Sequence, residues 1–228
     1  SWRRGVDFYN EGLLLWLEVD TILRQESKGT KSLDDFCRLF HGGEGGRPWV
    51  RPYTFDELVE ALQATVPYDW RKHLTERVTS LSPDAPTGGI ARGGWKLALS
   101  DAPSPLYTVR QGTDKAVDFT TSIGLLLKED GSVTDLVPGK AADRAKLGPG
   151  MKVIAVNGRK WSSDLLREAV AGTKNGGTLE LLVENGQFIK SHGLDYREGE
   201  KYPRLEREEG NPDLISEILK PRQQSPQK

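Results

Sequence analysis

Three histidines and one cysteine are the side chains in this 228-residue chain best suited to hold a transition metal. Cys37 and His41 lie four apart, on one face of a helix, and could share an ion. A third ligand is lacking, and the pair reads more simply as a buried cysteine beside a helix-end histidine. His73 falls mid-helix among Arg71, Lys72 and Glu76, which reads as a solvated face, and His192 falls in a late loop before Gly193. No His-Glu-x-x-His occurs, so the helix-borne zinc site of metallopeptidases is not encoded here. No Ser/His/Asp triad can be assembled. The run Gly42-Gly43-Glu44-Gly45-Gly46 follows a helix and lacks the Lys-Ser/Thr of a phosphate cradle, so it reads as a surface loop.

A different chemistry, recognition through backbone amides, is suggested by residues 122–161. An apolar run from Ile123 to Leu127 contains Gly124 and reads as a strand with a close-approach glycine. Asp130-Gly131 supplies a turn. A short strand follows from Val133, broken by Pro138-Gly139. An Ala-rich helix from Ala141 is stopped by Gly148-Pro149-Gly150. A third strand, from Lys152 to Val156, ends in the hairpin signal Asn157-Gly158. A helix capped by Ser162 or Ser163 and a strand from Thr178 complete the order.

These residues resemble the PDZ domain in its bacterial, protease-associated form. The resemblance covers about ninety residues and is carried by Ser122-Ile123-Gly124-Leu125 and by VPGKAADRAKLGPGMKVIAVNG. It implies that an extended peptide, often a free C-terminus, adds as a strand beside residues 123–127. The amides of Ile123, Gly124 and Leu125, next to Ser122, would take the terminal carboxylate. On the second helix, Ser163 to Ala171, Leu166 and Val170, four apart, should face the core, leaving Ser163 and Arg167 toward the groove. The competing expectation is a structural appendage whose groove is closed or occupied.

Composition sets the outer bounds. Basic and acidic residues balance, 32 against 33, and no Lys/Arg block interleaved with aromatics marks a nucleic-acid footprint. The hydrophobic fraction of 36% suits a globular chain of one large or two small domains. The single cysteine excludes an internal disulfide. The most apolar run, from Leu13 to Leu17, is interrupted at Glu18 and Asp20 and falls short of the ~20 residues a bilayer demands. Residues 1–4 lead into a helix rather than an apolar segment with a cleavage site.

The first third reads as helices: one from Asp7 to about Glu26, apolar on most faces and therefore expecting cover, then helices opening at Leu33 and at Thr54. Pro67 opens a fourth, with Trp70, Leu74 and Val78 on one face. Residues 83–112 read as a connector with short strands, one from Trp95 to Leu99 and another from Tyr107 to Val109. A short helix is expected from Asp213 to Leu219, and residues 221–228 should be disordered. The fold class is α+β: a helical unit over 1–82, the connector, a PDZ-like β-barrel or sandwich with two helices over 113–210, and a tail over 211–228.

The helical part is similar to the C-terminal helices of the catalytic domain in zinc aminopeptidases of the glycyl aminopeptidase family. Tyr9 and Gly12, then Asp20 and Arg24, then Ser32-Leu33-Asp34-Asp35 carry that likeness. Tyr202-Pro203-Arg204-Leu205-Glu206-Arg207 and Asp213-Leu214 carry it at the far end. The resemblance implies a longer, exported parent enzyme whose zinc lies in a preceding catalytic portion, with peptides or protein C-termini as partners and no cofactor, nucleic acid or membrane span in this chain. It also implies that Tyr9 donates its hydroxyl to the oxyanion of the tetrahedral intermediate, a task suited to a phenol that stays protonated near neutral pH. Glu11 stands where that family's motif has lysine. The chain alone is expected to be inactive. The alternative is a stand-alone peptide-binding scaffold.

Overall fold

A computed structural model describes residues 8–43, 50–81 and 85–221, and the chain divides into two units, Ser1–Lys96 with Glu206–Lys228, and Leu97–Leu205. Most of the Gly42–Gly46 loop and of the expected disordered tail lies outside the described residues.

The first unit is helical. Helix α1 (Phe8–Glu26) encloses only its middle, residues 18–23, whereas Phe8, Tyr9 and Leu13 are exposed, so the all-round cover expected from its composition is confined to one and a half turns. Its buried Asp20 accepts from the Leu33 amide at 2.7 Å and from Arg24 Nε at 3.1 Å. That carboxylate satisfies an otherwise orphaned N–H at the start of α2 (Leu33–His41), which Ser32 and Asp35 close with a capping box. A second capping box, Thr54 with Glu57, opens α3 (Phe55–Thr65). Asp69 caps α4 (Trp70–Thr79).

Val19, Ile22, Leu23, Phe36, Leu62, Trp70 and Leu74 form the unit's core, and the Trp70 indole donates to the Val66 carbonyl at 2.9 Å. Val78 does not join Trp70 and Leu74. It is 73% exposed, because the last turn of α4 runs clear of the core. A short helix that the sequence reading omitted, α5 (Gly88–Arg92), packs on α1 so closely that a Cβ at Gly89 would sit 2.7 Å from the Glu18 nitrogen.

Strand β1 (Trp95–Ser100) follows, and the chain passes into the second unit within it. The segment around Tyr107–Val109 is not a strand but lies in helix α6 (Pro105–Asp114). Ser104 accepts from the Tyr107 amide and Pro105 occupies the first turn, two start signals that outweigh the β-branched and aromatic residues. Strands β2 (Ala116–Phe119), β3 (Leu125–Lys128) and β4 (Val133–Leu136) form an antiparallel sheet in that order. Helix α7 (Ala141–Arg144) leads to β5 (Lys152–Val156) and β6 (Arg159–Lys160), joined by Asn157-Gly158 with both residues at positive φ, as that dipeptide predicts.

Helix α8 (Ser163–Gly172) is capped by Ser162. Strands β7 (Glu180–Asn185) and β8 (Phe188–Gly193) complete a four-stranded sheet ordered β6-β5-β7-β8. His192 therefore sits in a strand, with Nδ1 2.7 Å from the Ala145 carbonyl oxygen, and not in a loop. Strand β9 (Tyr202–Arg207) pairs with β1 and returns the chain to the first unit, where α9 (Leu214–Leu219) is capped by Asp213. The class is α+β as expected, with open sheets rather than a closed barrel. Among the described residues no helix is long and apolar enough to cross a membrane.

Candidate functional site

Strand β3 and the loop before it hold four of the residues singled out for peptide binding. Gly124 has φ +80°, and a Cβ there would fall 2.3 Å from Lys140 Cβ, so glycine is required both by backbone and by space. Ile123 is fully buried, and its carbonyl accepts from the Ala142 amide at 2.9 Å, tying the loop to α7. Ser122 is also buried. Its hydroxyl accepts from the Lys201 amide at 2.9 Å, while Thr121 Oγ1 donates to the Lys201 carbonyl at 2.6 Å. Leu125 is buried and starts the strand. The loop is thus pinned on both sides and presents its amides in a fixed arrangement.

Two of the loop's amides already have an acceptor. Ser122 N–H and Gly124 N–H both donate to the carbonyl oxygen of Phe119, at 3.0 and 2.9 Å. Phe119 ends β2, which runs antiparallel to β3 with Phe119 opposite Leu125 and Ala116 opposite Lys128. The other edge of β3 is taken by β4. Both ladder edges of β3 are therefore filled by the chain itself.

Helix α8 presents Leu166 and Val170 to the core, both fully buried, which is the phase its spacing predicts. Arg167 lies one residue further round, with its guanidinium carbon 5.2 Å from the centroid of the Phe119 ring. Arg167 also pairs with Glu200, donates to the Tyr202 hydroxyl at 3.1 Å and donates to Gln111 Oε1 of α6 at 3.1 Å. Burial pushes the Glu200 carboxyl up, against the Tyr202 hydroxyl and the Arg167 charge, which pull it down. Burial pushes the Tyr202 phenol up to about 12, helped by Glu200. Ser163 is half-buried at the start of α8 and its neighbour Ser162 is the residue that caps, accepting from the Leu165 amide.

Tyr9 belongs to the other unit. It is 68% exposed at the start of α1, with its ring against Phe8 at a centroid distance of 4.4 Å. The other motif residues of that unit have structural roles: Asp20 caps α2, and Arg207 donates to the Gly94 and Asn211 carbonyls beside Asp213, which accepts from the Trp95 indole. Cys37 is half-buried against the first core and His41 is exposed with its ring against Phe40. His73 is not on a solvated face. It is half-buried beside Tyr68 and Trp70, and burial pushes its pKa down.

Among the described residues no group of three or more His, Cys, Asp or Glu side chains is placed to hold a metal, so the donors present do not make up a zinc centre. No signal in the sequence points to the cluster of buried Glu18 with Arg77 and Arg92; the filling of the β3 edge by β2 is the occupied groove of the competing expectation, with an occupant the sequence does not name. Glu18 lies 59 positions from Arg77, and no local pattern joins them.

The sequence matches no family model and no curated protein. The fold is similar to the crystal structure of an aminopeptidase N family protein from Idiomarina loihiensis, at 17% identity and a TM-score of 0.55. The likeness covers 94% of this chain and 36% of that one, so the chain spans about a third of its neighbour's length and shares its fold over that part.

Proposed function

We propose that this chain is the C-terminal part of a zinc-dependent aminopeptidase. The second unit acts as its PDZ-type peptide-binding domain, and the zinc centre lies in a portion of the protein outside this sequence. The observation that supports this most is the breadth of the fold likeness, which takes in residues of both units and falls on an aminopeptidase N family protein. The pinned amide loop over residues 122–125 supports the peptide-binding part, because the Ser122 and Gly124 N–H groups converge beside a strand as a terminal carboxylate would use them; the Phe119 carbonyl holds both, so a peptide enters only if β2 leaves that edge.

In this reading the exposed phenol of Tyr9, at the start of α1, faces the reacting carbonyl and donates to its oxyanion. The test compares the 228-residue chain with the longer product of the same gene, using glycyl and alanyl p-nitroanilides and metal analysis. The short chain should release no nitroaniline above background, and the longer product should carry zinc and turn over. A longer product without zinc would overturn the proposal. In the active protein Tyr9→Phe should lower kcat by ~10²–10³ with little change in KM. Near-normal turnover would remove Tyr9 from the chemistry while leaving the rest standing.

A further inference from the structure

The peptide-accepting edge of the second unit carries an occupant whose geometry is that of a bound ligand. β2 lies antiparallel on β3, ends at the amide loop, and gives its last carbonyl oxygen to Ser122 N–H and Gly124 N–H. Its alternate side chains Val117 and Phe119 are 4% and 0% exposed, in the same buried cluster as Leu166 and Val170 of α8. Arg167 lies over the Phe119 ring. Between them, Asp118 turns outward and its carboxylate accepts from the Thr120 amide and hydroxyl.

The element that delivers β2 is weakly held. Helix α6 has no buried residue, and Leu106 and Val109 are exposed. Its described attachments run through one face: the Tyr107 hydroxyl donates to the Asp118 carbonyl at 3.0 Å, the Tyr107 ring meets Tyr202 edge-on, and Gln111 accepts from Arg167. Helices with so little buried apolar area open at low free-energy cost.

We infer that the β2 segment Ala116–Phe119 is an internal ligand of this edge, and that the peptide it stands in for ends in the pattern Val-x-Phe with a free carboxylate. This rests on the proposed peptide-binding role of the second unit. A free C-terminus at the position of Phe119 places a charged oxygen on the same two amides, and charge-assisted hydrogen bonds are about twice as strong as neutral ones. The tethered segment competes by its effective concentration, so the affinity for an added peptide is its intrinsic value multiplied by the fraction of molecules in which β2 is released. The edge is then a site of exchange, with α6 and β2 withdrawing together as the peptide enters.

The experiment measures fluorescence anisotropy of a labelled peptide ending Ala-Val-Asp-Phe-COOH. Its partners are the whole 228-residue chain and the Tyr107→Ala/Gln111→Ala variant, whose two changes remove α6 contacts and no core side chain. The variant should bind at least tenfold more tightly than the wild type, and the same peptide as a C-terminal amide should bind more weakly to both. Phe119→Ala, which removes the anchoring ring, should gain at least as much, provided hydrogen exchange still shows the Val153 and Leu181 amides protected. Equal affinity of wild type and both variants would overturn the internal-ligand inference and leave the peptide-binding reading intact. No binding to any of them, while the Ser122 and Gly124 amides exchange faster in the variants, would overturn both.

Discussion

Glu18 is 1% exposed, with the Arg77 guanidinium 2.6 Å from its Oε1 and Arg92 at 3.7 Å. Removing Glu18 leaves two arginine charges without their carboxylate, and because those side chains are 38% and 27% exposed the cost falls below that of a fully buried pair, so Glu18→Ala should lower stability by about 2 kcal/mol. Urea unfolding followed by tryptophan fluorescence checks this, and a loss under about 1 kcal/mol would mean the arginines find water instead. Gly124 makes the opposite kind of demand, on space and backbone. With φ at +80° and Lys140 Cβ in the way, Gly124→Ala should cost about 1–3 kcal/mol and should weaken protection of the Ser122 amide in hydrogen exchange. The glycine was legible in the sequence because a lone glycine inside an apolar strand signals close approach. The Glu18 cluster was not, because its partners come from three separate helices that only the tertiary fold brings together.

At the scale of elements, caps and turns were readable wherever the signal was local. The Ser32 and Thr54 capping boxes, the Asp213 cap and the Asn157-Gly158 hairpin all occur where the residue types place them. Elements chosen by packing were not. α5 contains two glycines, poor helix formers, and is fixed by lying directly on α1. α6 is a helix against the strand preference of its β-branched and aromatic residues, because a serine cap followed by proline starts a helix there. The return of β9 is held in part by charge. Asp101, beyond the end of β1, accepts from Lys174 and Lys201, each at 2.6 Å, and these two bonds and charges hold its pKa near about 2. A carboxyl depressed in the folded state stabilises above its ordinary pKa, and that contribution disappears as pH falls through the folded value. The gap in urea midpoint between wild type and Asp101→Asn should therefore be full above about pH 4 and close as pH approaches about 2. A gap that does not change between pH 2 and pH 5 would show that the two lysines do not depend on the Asp101 charge.

For the whole molecule, the sequence reading recovers the class and the order of a helical part followed by a strand-rich part. It divided the tail differently from the contacts, which group residues 206–228 with the first unit. That grouping follows from Arg207, Trp95 and Asp213, which meet only because β1 and β9 pair over a separation of about a hundred residues. The second unit is consequently one continuous stretch whose two ends are neighbouring strands. It has a core of its own, running from Val117 to Tyr196 and sharing no residue with the first. Continuous segments with adjacent ends and a private core can fold alone. Residues 95–207 expressed by themselves should give a cooperative thermal transition, and the amides of Leu127, Val153, Val156 and Leu181 should keep the protection they have in the whole chain. Exchange of those amides at unprotected rates would show that the first unit supplies part of the stability of the second. Replacing residues 97–205 by a short hairpin between Lys96 and Glu206 tests the converse. The Trp70 core should persist, because Val19, Phe36, Leu62 and Leu74, which enclose it, all precede the excised stretch.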